Sequence, residues 1–132
     1  MDKRTGKSVL LFPDAGKKTN DHSFPKSYRL SKSADYAFVF ARPAKSADGI
    51  FTVLVRPNEI GHARLGLAIS KKNIKTAVAR NRIKRLIRES FRQHLSFLRS
   101  VDIIVLAKRG ADKKNNQTVR RSLQAHWKKL VG

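Results

Sequence analysis

Residues 63 to 107 read ARLGLAISKKNIKTAVARNRIKRLIRESFRQHLSFLRSVDIIVLA, and three patterns in this stretch decide the fold. Ala63 to Ser70 is a short β-prone run. From about Ala77 to Leu98 apolar residues return at helical spacing: on a wheel of about 100° per residue, Ile83, Phe91, His94 and Leu98 fall within about 40° of Ile87. Val101 to Ala107 is a continuous apolar run, the pattern of a strand buried on both faces. A strand, a long helix and a second strand in this order bring the two strands parallel.

Outward from this unit the chain supplies the rest of a small domain. Ile50 to Arg56 is β-rich, and Pro57, Asn58, Glu59 and Gly61 carry turn chemistry, which predicts an antiparallel pair with Ala63 to Ser70. Tyr36, Val39 and Phe40 stand at i, i+3 and i+4 of a short helix from Ala34 to Ala41, with Ser33 as its N-cap and Pro43 as its stop. The stretch 43–49 has room for part of a further strand. Downstream, Val119, Leu123, Trp127 and Leu130 share one stripe of a helix from about Gln117 to Leu130. Residues 1–25 show no period and read as a flexible basic tail, which leaves 26–132 as one domain. The expected class is an α+β two-layer sandwich in the order α-β-β-(β)-α-β-α, around a mixed central sheet.

Charge points to the partner. Thirty Lys and Arg against nine Asp and Glu give a formal charge of +21, a balance that calls for a polyanion, most often nucleic acid. A membrane surface is the rival, but the chain has no lipidation signal and no apolar run near the roughly 20 residues of a span, so a cytoplasmic protein without membrane contact is expected. The absence of Cys excludes disulfides, thiolate catalysis and Cys-based zinc sites. The four His are scattered and no metal site is expected.

The cations concentrate on the central helix. Residues 64 to 99 hold eleven Lys and Arg against Glu89 alone, whereas a merely solvated helix intersperses acids for i, i+4 pairing. Asn81, Arg82, Arg85, Arg88 and Arg92 lie opposite the core stripe, Lys84 lies on its flank, and Arg80 begins the helix on the core side. The planar fork of Arg suits bidentate phosphate recognition, so this face is the candidate polyanion site. The acids, among them Asp35, Glu59, Glu89 and Asp102, are spread along the chain, and neither a two-metal carboxylate cluster nor a Ser/His/Asp arrangement is apparent. A structural RNA-binding protein and a nuclease in its own right remain the alternatives on these grounds.

Gly66-Leu67 followed by Ser70-Lys71-Lys72, and then Ala79-Arg80-Asn81-Arg82-Ile83-Lys84-Arg85, resemble the bacterial ribonuclease P protein subunits, whose helix carries an Arg-Asn-Arg motif. The resemblance extends from about Tyr28 to Leu130 and takes in Arg29-Leu30, Tyr36 to Phe40, Asp102 to Lys108 and the Trp127 helix. It implies a ribosomal-protein-S5-domain-2-like fold with a left-handed βαβ crossover, against the usual right-handed rule. It also implies a protein with no catalytic residue of its own: the RNA subunit, with Mg2+ held mainly by RNA and substrate, cleaves the 5′ leader from precursor tRNA. The protein, one per RNA, binds ribonuclease P RNA and the leader. By that likeness Arg80, Asn81, Arg82, Lys84, Arg85 and Arg88 meet the catalytic RNA, with Lys71 and Lys72 at the mouth of the same surface. Tyr36 and Phe40 match the aromatic positions of the family's leader cleft, with Phe51 as a third. Leu54 stands where some members place an aromatic.

Overall fold

The computed structural model describes residues 26–131, in the order α1 (Ser33–Ala41), β1 (Ala44–Ala47), β2 (Phe51–Pro57), β3 (Arg64–Ala68), α2 (Ala77–Gln93), β4 (Val101–Ala107) and α3 (Asn116–Val131). The tail expected at 1–25 lies outside the described residues. The apolar run of β4 takes the place its composition demands, inside the sheet: the strand order is β1-β2-β4-β3, with β4 antiparallel to β2 and parallel to β3. The expected hairpin between β2 and β3 is therefore corrected. β4, apolar along almost its whole length, is inserted between them, and β1 fills part of the stretch 43–49 and pairs with β2 instead. The chain from β2 to β3 passes the start of β4, where the Asn58 N–H donates to Ser100 O at 3.0 Å and the Gly61 N–H to Ser100 Oγ at 3.0 Å. Gly61 bends there at φ 101°, a conformation that favours glycine.

Strand alternation divides the core in two. Phe51, Val53 and Val55 of β2, Leu65 of β3, and Ile103 and Val105 of β4 face α2 and α3, meeting Ile83, Leu86, Ile87, Phe91, Val119, Leu123 and Trp127. Leu54 and Ile104 face the other way, onto Leu30 and Val39, so α1 covers only part of the second face. The second face is thus the open side of the sandwich. Helix ends differ from the sequence reading by local chemistry. Lys32, not Ser33, is the first cap of α1. α2 stops at Gln93 rather than near Leu98, where the backbone N–H of His94 donates to Ser90 O and Phe91 O and a 3-10 turn, Leu95–Phe97, follows.

Tyr36 ties α1 to the outer edge of β3, where the Leu30 N–H also donates to Leu65 O at 2.9 Å. Its hydroxyl accepts from the Leu67 N–H at 3.2 Å, and its ring lies over Gly66, where a Cβ would stand 2.9 Å from Cζ and Oη. Gly66→Ala is expected to lower unfolding free energy by about 1–3 kcal/mol, because backbone and ring must separate to admit one methyl group. Equilibrium urea unfolding checks it, and an unchanged midpoint would show that the ring yields freely.

A second device fastens α3 to the β1–β2 turn. Asp48 Oδ1 accepts the N–H groups of Ile50 and Phe51 at 2.8 Å each, and Oδ2 accepts the Ser122 hydroxyl. Burial pushes the Asp48 carboxyl up, but the Phe51 N–H, Ser122, the Ile50 N–H and nearby His126 outweigh it and hold the group at about 2, below the usual 3.8. A carboxyl depressed by folding stabilises fully above pH 3.8, and that contribution is lost as pH falls through about 2. The stability gap between the wild type and Asp48→Asn should accordingly shrink over that window. A gap independent of pH would mean that the charge contributes nothing.

Candidate RNA interface

Thr76 sets the start of the cationic helix: its Oγ1 accepts from the Ala79 N–H at 3.1 Å. Asn81 is exposed on the second turn. The core stripe of α2 is wider than Ile83, Ile87 and Phe91, since Leu86 and Ser90 are buried too. Both lie on one side of Ile87, about 100° and 60° round the wheel, because α3 packs there. Arg82, about 140° round on that same side, falls at the α3 boundary. Asn81, Lys84, Arg85, Arg88 and Arg92 occupy the opposite flank, between about 60° and 160°. All five are exposed or half-buried. Glu89 points to α3, where it sits 3.9 Å from Arg120, so α2 places no acid of its own on that flank.

Two arginines of the motif are engaged with the protein itself. Arg80 Nη1 donates to the carbonyls of Ile74 and Lys75 at 2.9 and 3.0 Å, which folds its side chain back over the turn that precedes α2. Arg82 donates from Nε to Asn116 Oδ1 at 2.9 Å, from Nη1 to Asp112 O at 3.2 Å and from Nη2 to Lys114 O at 2.6 Å. Lys71 and Lys72 are exposed on the turn between β3 and α2, which Asn73 anchors to the end of β4 through Ala107 O at 2.9 Å. Because β3 and β4 run parallel, Lys108 and Arg109 leave the sheet at the same end. The sequence reading missed this pair; the pairing of Ala68 with Leu106 is what brings it beside Lys71 and Lys72.

The open face of the sheet holds the aromatic candidates, with one exception. Phe40 is 49% exposed on α1, and Tyr36 beside it has one ring face and its hydroxyl committed to β3. Phe51 is fully buried among the residues that pack on α2 and α3, on the opposite side of the sheet. A one-residue step in strand parity removes it from the cleft, and Thr52 and Leu54 face α1 in its place. Leu54 is itself buried. A row of Ala47, Thr52, Leu106 and Ala68 crosses the sheet on this face, part-covered or open along its length. Phe38 is 38% exposed, and the Arg56 guanidinium stacks 3.8 Å from its ring centroid.

Folding also brings the distant His126 against Ser46 and Asp48, which are near neighbours in sequence: Ser46 Oγ is 2.7 Å from His126 Nδ1, and His126 Nε2 approaches Asp48 Oδ2 to 3.2 Å without hydrogen-bond alignment. Ser46 and His126 are 4% and 3% exposed, so no substrate reaches them, and they fasten α3 to β1. Among the described residues no group of His, Asp and Glu converges as a metal site, and no helix is long and apolar enough to cross a membrane.

A basic α+β domain whose long helix sets Lys84, Arg85, Arg88 and Arg92 along one flank, and whose sheet carries the exposed Phe40 on its other side, is an RNA-binding domain. The Ribonuclease P family profile matches residues 24–131. Ribonuclease P protein components of Methylococcus capsulatus and Chromohalobacter salexigens are 46% and 47% identical, over 80% and 84% of this chain and 83% and 88% of theirs. The solved RNase P protein of Staphylococcus aureus superposes with a TM-score of 0.74 at 37% identity, covering 81% of this chain and all of that one. The Thermotoga maritima RNase P protein gives 0.70 at 28% identity, over 79% of this chain and 98% of that one. The chain belongs to the ribonuclease P protein family, as a subunit of the ribonucleoprotein endoribonuclease that processes tRNA 5′ ends.

Proposed function

We propose that the α2 flank of Asn81, Lys84, Arg85 and Arg88, together with Lys71 and Lys72 at its N-terminal end, binds the catalytic RNA. The observation that supports this reading is the orientation of Glu89: the single acid of α2 turns to Arg120, so α2 itself sets Lys84, Arg85 and Arg88 on the opposite flank with no acid of its own among them. An exposed Asn81 amide adds a group able to bond a 2′-hydroxyl or base edge, where a cation reads phosphate. The 5′ leader of precursor tRNA lies across the open sheet face, with the exposed Phe40 and the half-buried Tyr36 beside it as stacking platforms. Mg2+ belongs to the RNA and substrate, one protein serves one RNA, and the complex works in the cytoplasm.

Reconstitution tests the whole reading: the chain mixed with ribonuclease P RNA and precursor tRNA at low magnesium should increase leader removal, and no increase rejects it. Phe40→Ala should weaken leader-bearing substrate by about 1–3 kcal/mol and leave mature tRNA unaffected. Phe40 is the cleaner probe, because Tyr36→Ala would also strip the edge of β3. Equal losses on both substrates would remove the leader from this face.

A further inference from the structure

Arg82 belongs by sequence to the RNA-contacting motif, yet all three guanidinium nitrogens donate to one short segment of the protein, residues 112–116. Two of the acceptors are the carbonyls of Asp112 and Lys114, which bracket Lys113 and Lys114. The third is Asn116 Oδ1, at the first residue of α3. The same segment is fixed at its other points. Gly110 turns the chain at φ 89°, Ala111 is buried, and Asn115 caps α3 by accepting the Thr118 N–H at 2.8 Å. With its carbonyls held by Arg82, the segment leaves Lys113 and Lys114 exposed. No acid follows Asp112 in the chain.

We infer that Arg82 acts on RNA through Lys113 and Lys114: it is a positioning residue, and the two lysines are a further phosphate-contacting site beside the N-terminal half of α2. This rests on the RNA-binding reading above. A protein helix is about 10–12 Å across and an RNA helix is broader, so an RNA seated on the α2 flank extends past its edge. A clamped loop offers its charges without having to order them on binding, which a free Lys-Lys loop cannot do. Lysine in place of Arg82 could not reproduce the clamp, since an ammonium has no planar fork to reach an amide and two carbonyls together.

The test is a cycle of salt dependences for binding to ribonuclease P RNA. Lys113→Gln with Lys114→Gln should lower the log-log salt slope by about 1.4 to 1.8, the value for two phosphate contacts. Arg82→Ala should also lower the slope in the otherwise wild-type chain and leave it unchanged once both lysines are Gln. Arg82→Lys should behave as Arg82→Ala. A loss of about 0.7 to 0.9 from Arg82→Ala in both backgrounds would make Arg82 a direct phosphate ligand, and an unchanged slope in the double lysine variant would remove the site. Should Arg82→Ala not fold, Asn116→Ala takes its place with Arg82 retained. It is expected to lower the slope only where the lysines remain, and equal losses in both backgrounds overturn the proposal. Failure of the wild-type chain itself to bind would instead remove the RNA-binding reading on which the inference stands.

Discussion

Asp102→Ala is expected to lower the unfolding free energy by about 3–5 kcal/mol, the cost of leaving one partner of a buried ion pair alone. Asp102 is 1% exposed in β4 and accepts from Arg64 at 2.9 and 2.8 Å and from Asn58 Nδ2 at 2.7 Å. Its removal leaves Arg64 only the more distant Asp35 at 3.6 Å and strands a guanidinium that is itself largely covered. The damage should also spread to the β2–β3 connection, because Asn58 is held by both Asp102 and Ser100. Urea unfolding followed by circular dichroism measures the loss. A value under about 1 kcal/mol would place the pair with ordinary surface salt bridges.

Trp127→Ala should cost a comparable amount, about 3–5 kcal/mol, by a different route. The indole is 2% exposed, meets Phe91 edge-on with centroids 6.4 Å apart, and donates from Nε1 to Ser90 Oγ at 2.8 Å. It is therefore the joint between α2 and α3, and a void there loosens both helices. Trp127→Phe keeps much of the packing and removes the indole donor, so it isolates the polar part, about 1–3 kcal/mol. Thermal unfolding of the two variants separates volume from hydrogen bond. Equal losses in both would mean that the hydrogen bond, not the cavity, dominates.

What could be read before folding was whatever one element decides alone. The apolar run from Val101 to Ala107 announced a central strand, and Ile83, Ile87 and Phe91 announced a helix with one buried stripe. Features that depend on a neighbour were hidden. The wheel set Arg82 on the outward side because nothing in the sequence says where α3 packs, and an α3 at that boundary turns the same side chain into a clamp. Phe51 was assigned to the wrong side of the sheet for a related reason: β-strand periodicity separates two faces without saying which one a helix covers. The pairing of β2 with β4 rather than β3 was invisible locally, since turn residues after Pro57 fit a hairpin as well as a longer crossing. The Ser46, His126 and Asp48 contacts lay furthest out of reach, joining the first hairpin to the last helix.

The insertion of β4 between β2 and β3 also fixes an order of events during synthesis. Leu65 of β3 has no sheet neighbour on its inner edge until Ile103 arrives, and loop closure on that scale is slow compared with helix formation. A ribosome that has released the chain only as far as Ser100 has already exposed every cation of α2, yet the strand that supports that helix is still missing. Such a nascent chain attracts any polyanion and fits none, so discrimination among RNAs begins only when the last quarter of the chain emerges.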